Sequence, residues 1–112
     1  MVDAKLSLFS QRVIELVRAI PPGRVCSYGY IAGAAESPRA ARQVVRVLHS
    51  LSRKYKLPWH RVVNRNGQVA SRPEIFDEQI QLLTEEGVSV VTGTVSEFER
   101  YRWRPLFVVN KK

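Results

Sequence analysis

Two proline-marked breaks limit what the first half of this chain can fold into. Leu6, Phe9, Val13, Leu16, Val17 and Ile20 recur at helical spacing. Pro21-Pro22-Gly23 ends that helix at about Ile20, because proline has no amide hydrogen to continue the ladder. Arg24-Val25-Cys26 is a brief extended stretch, after which Ser27 is placed to cap a short helix from Tyr28 toward Ala35. Ser37-Pro38 is a second start signal, an N-cap with proline at the first helical position, and predicts a helix from about Pro38 to His49. Two short helices with about two residues between them make a helix-turn-helix, expected over about residues 27–50.

Further along, Arg61-Val62-Val63 and Gln68-Val69-Ala70 flank Arg65-Asn66-Gly67, and Asn-Gly is a leading signal for a tight hairpin. A two-stranded wing is therefore expected over about residues 61–70. Glu74 to Glu86 reads as an amphipathic helix with Phe76, Ile80 and Leu83 inward and Gly87 as its stop. Val88 to Val91 is compatible with a strand or with packed coil, and Ser96 is placed to cap a last turn ending near Tyr101-Arg102-Trp103. The expected fold is mainly α with a small β-hairpin wing, a winged helix-turn-helix. There are no internal repeats and no low-complexity segments.

With 112 residues at 45% hydrophobic content, the chain suffices for one core and is too short for two, so residues 1–112 are expected to form a single domain. No apolar run approaches the roughly 20 residues needed to cross a bilayer, and the start of the chain lacks a basic-then-apolar signal layout. No membrane association is expected, and the cytoplasm is the expected location. A single cysteine, Cys26, excludes an internal disulfide and a cysteine-based zinc site, and reads as a small buried apolar side chain. No metal and no cofactor are implied.

The net charge of +8 is strongly segregated: Ser37 to Pro73 holds nine Arg or Lys and no acid, while Glu74 to Glu99 holds seven acids and no base. Segregation of that kind points to one face shaped for a polyanion, with a nucleic-acid backbone the obvious partner. Arg39, Arg42 and Arg46 fall within about 60° of one another on a helical wheel, opposite Ala41, Val44, Leu48 and Leu51. A cationic stripe backed by an apolar one is suited to lie on DNA.

Pro58-Trp59-His60-Arg61-Val62 lies inside the basic block and resembles, in all positions but one, the Pro-Cys-His-Arg-Val motif of DNA O6-alkylguanine alkyltransferases. The differing position is the nucleophile. A thiolate there attacks the alkyl carbon, whereas the Trp59 indole is a hydrogen-bond donor without a basic lone pair. Tryptophan in place of the reactive cysteine is the pattern of alkyltransferase-like proteins, which the chain resembles from about Phe9 to Trp103. The short run before Phe9 leads to the expectation of a stand-alone domain of this kind, similar to the carboxy-terminal domain of the transferases.

The resemblance implies roles residue by residue. Ser27-Tyr28-Gly29 resembles the family's Ser/Thr-Tyr pair, so Tyr28 is the residue that presses on the phosphate beside the target nucleotide. Pro38-Arg39-Ala40-Ala41-Arg42-Gln43-Val44 resembles the recognition-helix motif, with Arg42 as the finger that fills the vacated space in the duplex. Arg39, Gln43, Arg46 and Arg61 join Tyr28 and Arg42 on the expected DNA-binding side. Trp59, Arg72, Tyr28, His60 and Val62 are the implied lesion pocket. His60 and Glu86 match the relay that deprotonates the family's cysteine, and are expected to be a structural remnant here. The sequence departs from the family at Val45-Arg46, where a glycine is usual, and at Leu51 to Lys54, where an asparagine braces the turn.

The implied function is a non-enzymatic sensor, with no catalytic residue, that binds O6-alkylguanine in double-stranded DNA by nucleotide flipping. It would direct the site to nucleotide excision repair proteins without alkyl transfer, acting as a monomer in the cytoplasm or, in a prokaryote, at the nucleoid. Alternatives from other classes are a winged-helix transcriptional regulator reading undamaged DNA through Arg39, Arg42 and Arg46, a non-specific DNA-binding protein, and a transferase using Cys26.

Overall fold

The computed structural model describes residues 5–104. Helix α1 spans Leu8–Ala19 and starts at Ser7, whose hydroxyl accepts from the Ser10 amide at 3.0 Å. Val13, Ile14, Leu16 and Val17 are buried along one side of it, and Ile20 follows as a packed C-cap. The proline break then turns the chain toward strand β1, Cys26–Ser27. At the turn Gly23 has φ +85°, and a Cβ there would lie 3.2 Å from the Glu86 carbonyl oxygen, so any other residue would be both strained and crowded.

Helix α2, Tyr28–Ala34, begins as its sequence predicts, with the Ser27 hydroxyl accepting from the Tyr30 amide at 3.1 Å. Helix α3 does not. It covers Ala41–Tyr55, starting after Pro38 and running beyond His49. The Ser37 carbonyl accepts from the Ala40 amide at 2.9 Å, closing a turn over Ser37-Pro38-Arg39-Ala40. Proline's fixed φ suits the second position of such a turn as well as the first turn of a helix, so the Ser37-Pro38 signal has two meanings. Residues 35–40 consequently link α2 to α3 in place of the expected two-residue turn. At its far end α3 stops at Lys56, which takes the left-handed conformation with φ +53°.

A single 3-10 turn, Trp59–Arg61, leads into strand β2, Val62–Val63, which pairs in parallel with β1, Cys26 opposite Val62 and Ser27 opposite Val63. Helices α2 and α3 supply the crossover that a parallel pair needs. The wing expected over residues 61–70 is accordingly displaced. Asn66-Gly67 does turn the chain, with the Gly67 amide donating to the Asn64 carbonyl at 2.9 Å and the Asn64 amide to the Gln68 carbonyl at 3.1 Å. The incoming arm, however, is committed to β1, and on the outgoing arm Gln68 bridges to Thr94. The antiparallel hairpin lies later, between β3, Val90–Val91, and β4, Thr94–Val95. Asn-Gly specifies a turn, while packing partners decide which flanking residues become strands.

Helix α4, Pro73–Glu85, carries proline in its first turn and ends before Gly87, at φ +88°. A last short helix, α5, Phe98–Tyr101, follows Glu97 in the left-handed region and has no side-chain cap, so Ser96 does not act as one. The single core expected from the chain length is divided into two clusters, and the β1–β2 pair is the joint between them. Cys26 and Val62 face the cluster built from α1, α2 and α3, while Val25 and Val63 face a second cluster with Leu83, Val88 and Val95. The fold is thus mainly helical with two small sheets, and no helix among the described residues is long and apolar enough to cross a membrane.

Candidate nucleic-acid interface

Arg39, Arg42, Gln43 and Arg46 are exposed and line one open concavity of about 530 Å³ with Ser37 and Pro38, at the amino-terminal half of α3. The apolar stripe behind them is anchored by buried Val44, Val47 and Leu48. Among the described residues no carboxylate pairs with any of the three arginines. Ala40, the N-cap, also makes no side-chain hydrogen bond to the helix start. Unpaired guanidinium groups beside open helix N–H groups form a surface suited to phosphate.

One turn further along α3, a cleft of about 470 Å³ gathers Tyr28, Trp59 and Arg72 with Leu48, Leu57, Ala70 and Ile75 in its walls. That size falls in the roughly 300–1,000 Å³ range typical of small-ligand sites. Three different elements bring the polar groups together. Tyr28 is the first residue of α2, Trp59 opens the 3-10 turn, and Arg72 is the N-cap of α4. Burial pushes the Tyr28 phenol up from its usual value, which keeps it a neutral hydroxyl.

Two residues expected in the pocket lie behind it. Val62 is fully buried in β2, and His60 is buried with its ring edge-on to the Trp59 indole, centroids 6.3 Å apart at 87°. His60 Nε2 donates to Glu86 Oε2 at 2.9 Å. Arg61, expected on the DNA side, is also turned inward. Its Nη2 donates to Glu86 Oε2 at 2.6 Å, its Nε to Glu86 Oε1 at 3.0 Å, and its Nη1 to the Ile20 carbonyl at 2.9 Å. The Gly23 amide donates to the same carboxylate at 3.2 Å. Burial alone would raise the Glu86 carboxyl, but the hydrogen bonds from Arg61, His60 and Gly23 outweigh it and hold the group down at about 2. A bidentate, multiply bonded carboxylate of this kind braces the backbone behind Trp59.

Two residues of the site escape a reading from sequence. Gln79 is buried on α4: its side-chain oxygen accepts from the Ala70 amide at 2.8 Å, and its nitrogen donates to the carbonyls of His60 and Val62 at 3.1 and 3.0 Å. It ties both sides of the Trp59 cleft together. The available signal was a polar residue on the inward stripe of Phe76, Ile80 and Leu83. His49, in the cleft wall, has its Nδ1 3.2 Å from Arg72 Nη1. Its signal was position, seven residues after Arg42 and so only about 20° away on the wheel.

Cys26 is 1% exposed in the first core, and burial pushes its thiol up to about 12, so it is protonated and shielded.

Residues 8–88 match the family model described as 6-O-methylguanine DNA methyltransferase, DNA binding domain. The chain is 48% identical over 95 residues to the DNA base-flipping protein of Escherichia coli, covering 85% of this chain and 74% of that protein. It is 35% identical over 107 residues to alkyltransferase-like protein 1 of Schizosaccharomyces pombe, covering 90% and 99% respectively. The crystal structure of S. pombe Atl1 in complex with damaged DNA containing O6-carboxymethylguanine matches with a TM-score of 0.80 at 33% identity, again over 90% of this chain and 99% of that one. An O6-methylguanine methyltransferase from Mycobacterium tuberculosis matches with a TM-score of 0.60 at 29% identity, over 75% of this chain and 51% of that one.

Proposed function

The chain belongs to the alkyltransferase-like proteins of the 6-O-methylguanine DNA methyltransferase DNA-binding-domain family, and from that membership we propose that it senses O6-alkylguanine in duplex DNA without repairing it. The carrying observation is the cleft in which Tyr28, Trp59 and Arg72 meet beside an open arginine face, and the motif resemblance puts Trp59 in the position of the family's cysteine. Relatives support the reading: one is named a DNA base-flipping protein, and another was crystallised with DNA containing O6-carboxymethylguanine.

In this proposal Arg39, Arg42 and Arg46 bind the backbone, Arg42 enters the duplex as the nucleotide leaves, and Tyr28 presses on the adjacent phosphate. Flipping costs a few kcal/mol, least for a base already weakly paired. Stacking on Trp59 contributes roughly 1–3 kcal/mol and a cation–π contact from Arg72 about 0.5–2 kcal/mol. These terms are close to the extrusion cost, so the weaker pairing of an alkylated guanine decides which nucleotides stay out. No transfer follows, because the indole cannot act as a nucleophile and the Cys26 thiol is shielded and held up at about 12. The His60–Glu86 pair has no thiol to serve and acts as a brace. The held lesion is then presented, by a monomer, to nucleotide excision repair proteins.

The test is the affinity of the protein for a duplex with one O6-methylguanine against its unmodified twin at matched salt. A clear preference for the modified duplex is expected, with the methyl group still on guanine afterwards. Equal affinities, or a demethylated product, would overturn the reading.

A further inference from the structure

Resting on the lesion-sensing reading above, we infer that His49 is a positioning residue for Arg72: its Nδ1 holds the pocket guanidinium, and preference for the lesion therefore depends on this imidazole. Arg72 is held at two nitrogens. Its Nη1 donates to His49 Nδ1 at 3.2 Å and its Nη2 to Glu74 Oε2 at 3.1 Å. The Arg72 and Glu74 side chains are 53% and 61% exposed, and an exposed pair close in sequence restrains a long side chain only weakly. The imidazole adds a second anchor from a different element, since His49 lies on α3 and Arg72 caps α4. Both residues line the cleft that holds Trp59.

A guanidinium only donates, so the contact needs a bare Nδ1 and hence the neutral imidazole with its proton on Nε2. An imidazolium has no lone pair left and carries the same charge as Arg72. The hydrogen bond is then lost and the two cations repel. His49 shares the cleft wall with Arg72 and Glu78 from the α4 side, Arg53 and Lys56 from the end of its own helix, and Tyr28 from α2. Among the described residues, loss of its Nδ1 leaves Arg72 tethered only by the exposed Glu74, while the phosphate-facing arginines of α3 are untouched.

The experiment measures Kd for the O6-methylguanine duplex and its unmodified twin with the wild type and each variant, with thermal melting to establish folding. In His49→Ala the preference for the lesion should fall about fivefold, the order of one cation–π contact, while affinity for the unmodified duplex does not fall. His49→Gln, whose amide oxygen can accept from Arg72, should restore the preference. An undiminished preference in His49→Ala, or a His49→Gln variant no better than His49→Ala, would overturn the inference, with the lesion-sensing reading intact. Absence of preference in the wild type would overturn that reading and this inference together. In DNA-free protein, 15N NMR should show His49 as the Nε2–H tautomer and a tautomer mixture in Arg72→Ala; an unchanged spectrum would show that the contact does not exist.

Discussion

Arg42 and Arg61 come from the same acid-free stretch of sequence and meet opposite fates. Arg42 stands exposed on α3 with Arg39 and Arg46 and no carboxylate partner among the described residues. Arg61 is only 14% exposed, with three hydrogen bonds to Glu86 and one to the Ile20 carbonyl. The difference lies in the elements. Helix α3 turns one face to the core and the other outward, so its arginines stay in water. The 3-10 turn after Pro58 passes between the two cores, where a charge must bring a partner with it. One basic block thus yields both a surface for DNA and a rigid support for the pocket. Charge in sequence identifies neither until the geometry sorts them.

The largest effect should come from breaking the support. Glu86→Ala leaves Arg61 without its counter-ion and His60 without its acceptor, and should destabilise the protein by about 4 kcal/mol. Arg39→Ala on the open face should change stability by less than about 0.5 kcal/mol. Chemical denaturation of both variants measures the contrast, and similar losses would abolish the distinction between the two regions. The same support has an acid signature. The Glu86 carboxyl is lowered from 4.5 to about 2 in the folded protein, so its contribution is fully present above about pH 4.5 and is lost as pH falls toward about 2. Stability measured across that window should fall more steeply in the wild type than in Glu86→Ala.

Next in size is Gln79→Leu, which keeps the bulk but strands the Ala70 amide and the carbonyls of His60 and Val62. Roughly 2 kcal/mol of stability should be lost. Trp59 should become more mobile against Arg72, visible as altered indole fluorescence. An unchanged melting temperature would mean that those backbone groups find other partners.

How far the sequence foretold these regions follows from the range of each interaction. Caps and periodicity act within a few residues, so α1, the Ser27 start of α2 and the amphipathic helix expected over Glu74 to Glu86, observed as Pro73–Glu85, were all legible. Ser37-Pro38 misled because one proline geometry serves a turn and a helix alike. The wing was misplaced because Val62–Val63 had a competing partner in Cys26–Ser27, far away in sequence. The family resemblance named Tyr28, Trp59 and Arg72, and the fold does place them in one cleft. Arg61 could not be sorted from the surface arginines, since its partner lies 25 positions away.

The pocket itself is sharpened by Trp59→Ala. Removing the stacking surface should reduce preference for the O6-methylguanine duplex about tenfold, within the roughly 1–3 kcal/mol assigned to one stacked base. Affinity for the unmodified duplex should stay within about twofold, because phosphate contacts lie on α3. Competition binding with both duplexes separates the two quantities. An equal loss on both would place Trp59 in general binding or in folding, and would merge pocket and interface into one region.

The smallest effect should come from Arg46→Ala, and it probes the open face most directly. Arg46 lines the concavity of Arg39 and Arg42 but lies a full turn from the helix start, where the open N–H groups add to the attraction for phosphate. Its loss should weaken both duplexes by the same severalfold factor and reduce the slope of log K against log salt by about 1, as removal of one phosphate contact does. Lesion preference and melting temperature should not change. A change in preference would mean that Arg46 reaches the extruded base, and an unchanged salt slope would mean that the face stays hydrated when DNA is bound. Since Arg61 cannot lower that slope without first leaving Glu86, the two arginines provide a like-for-like measure of how the fold divides its positive charge.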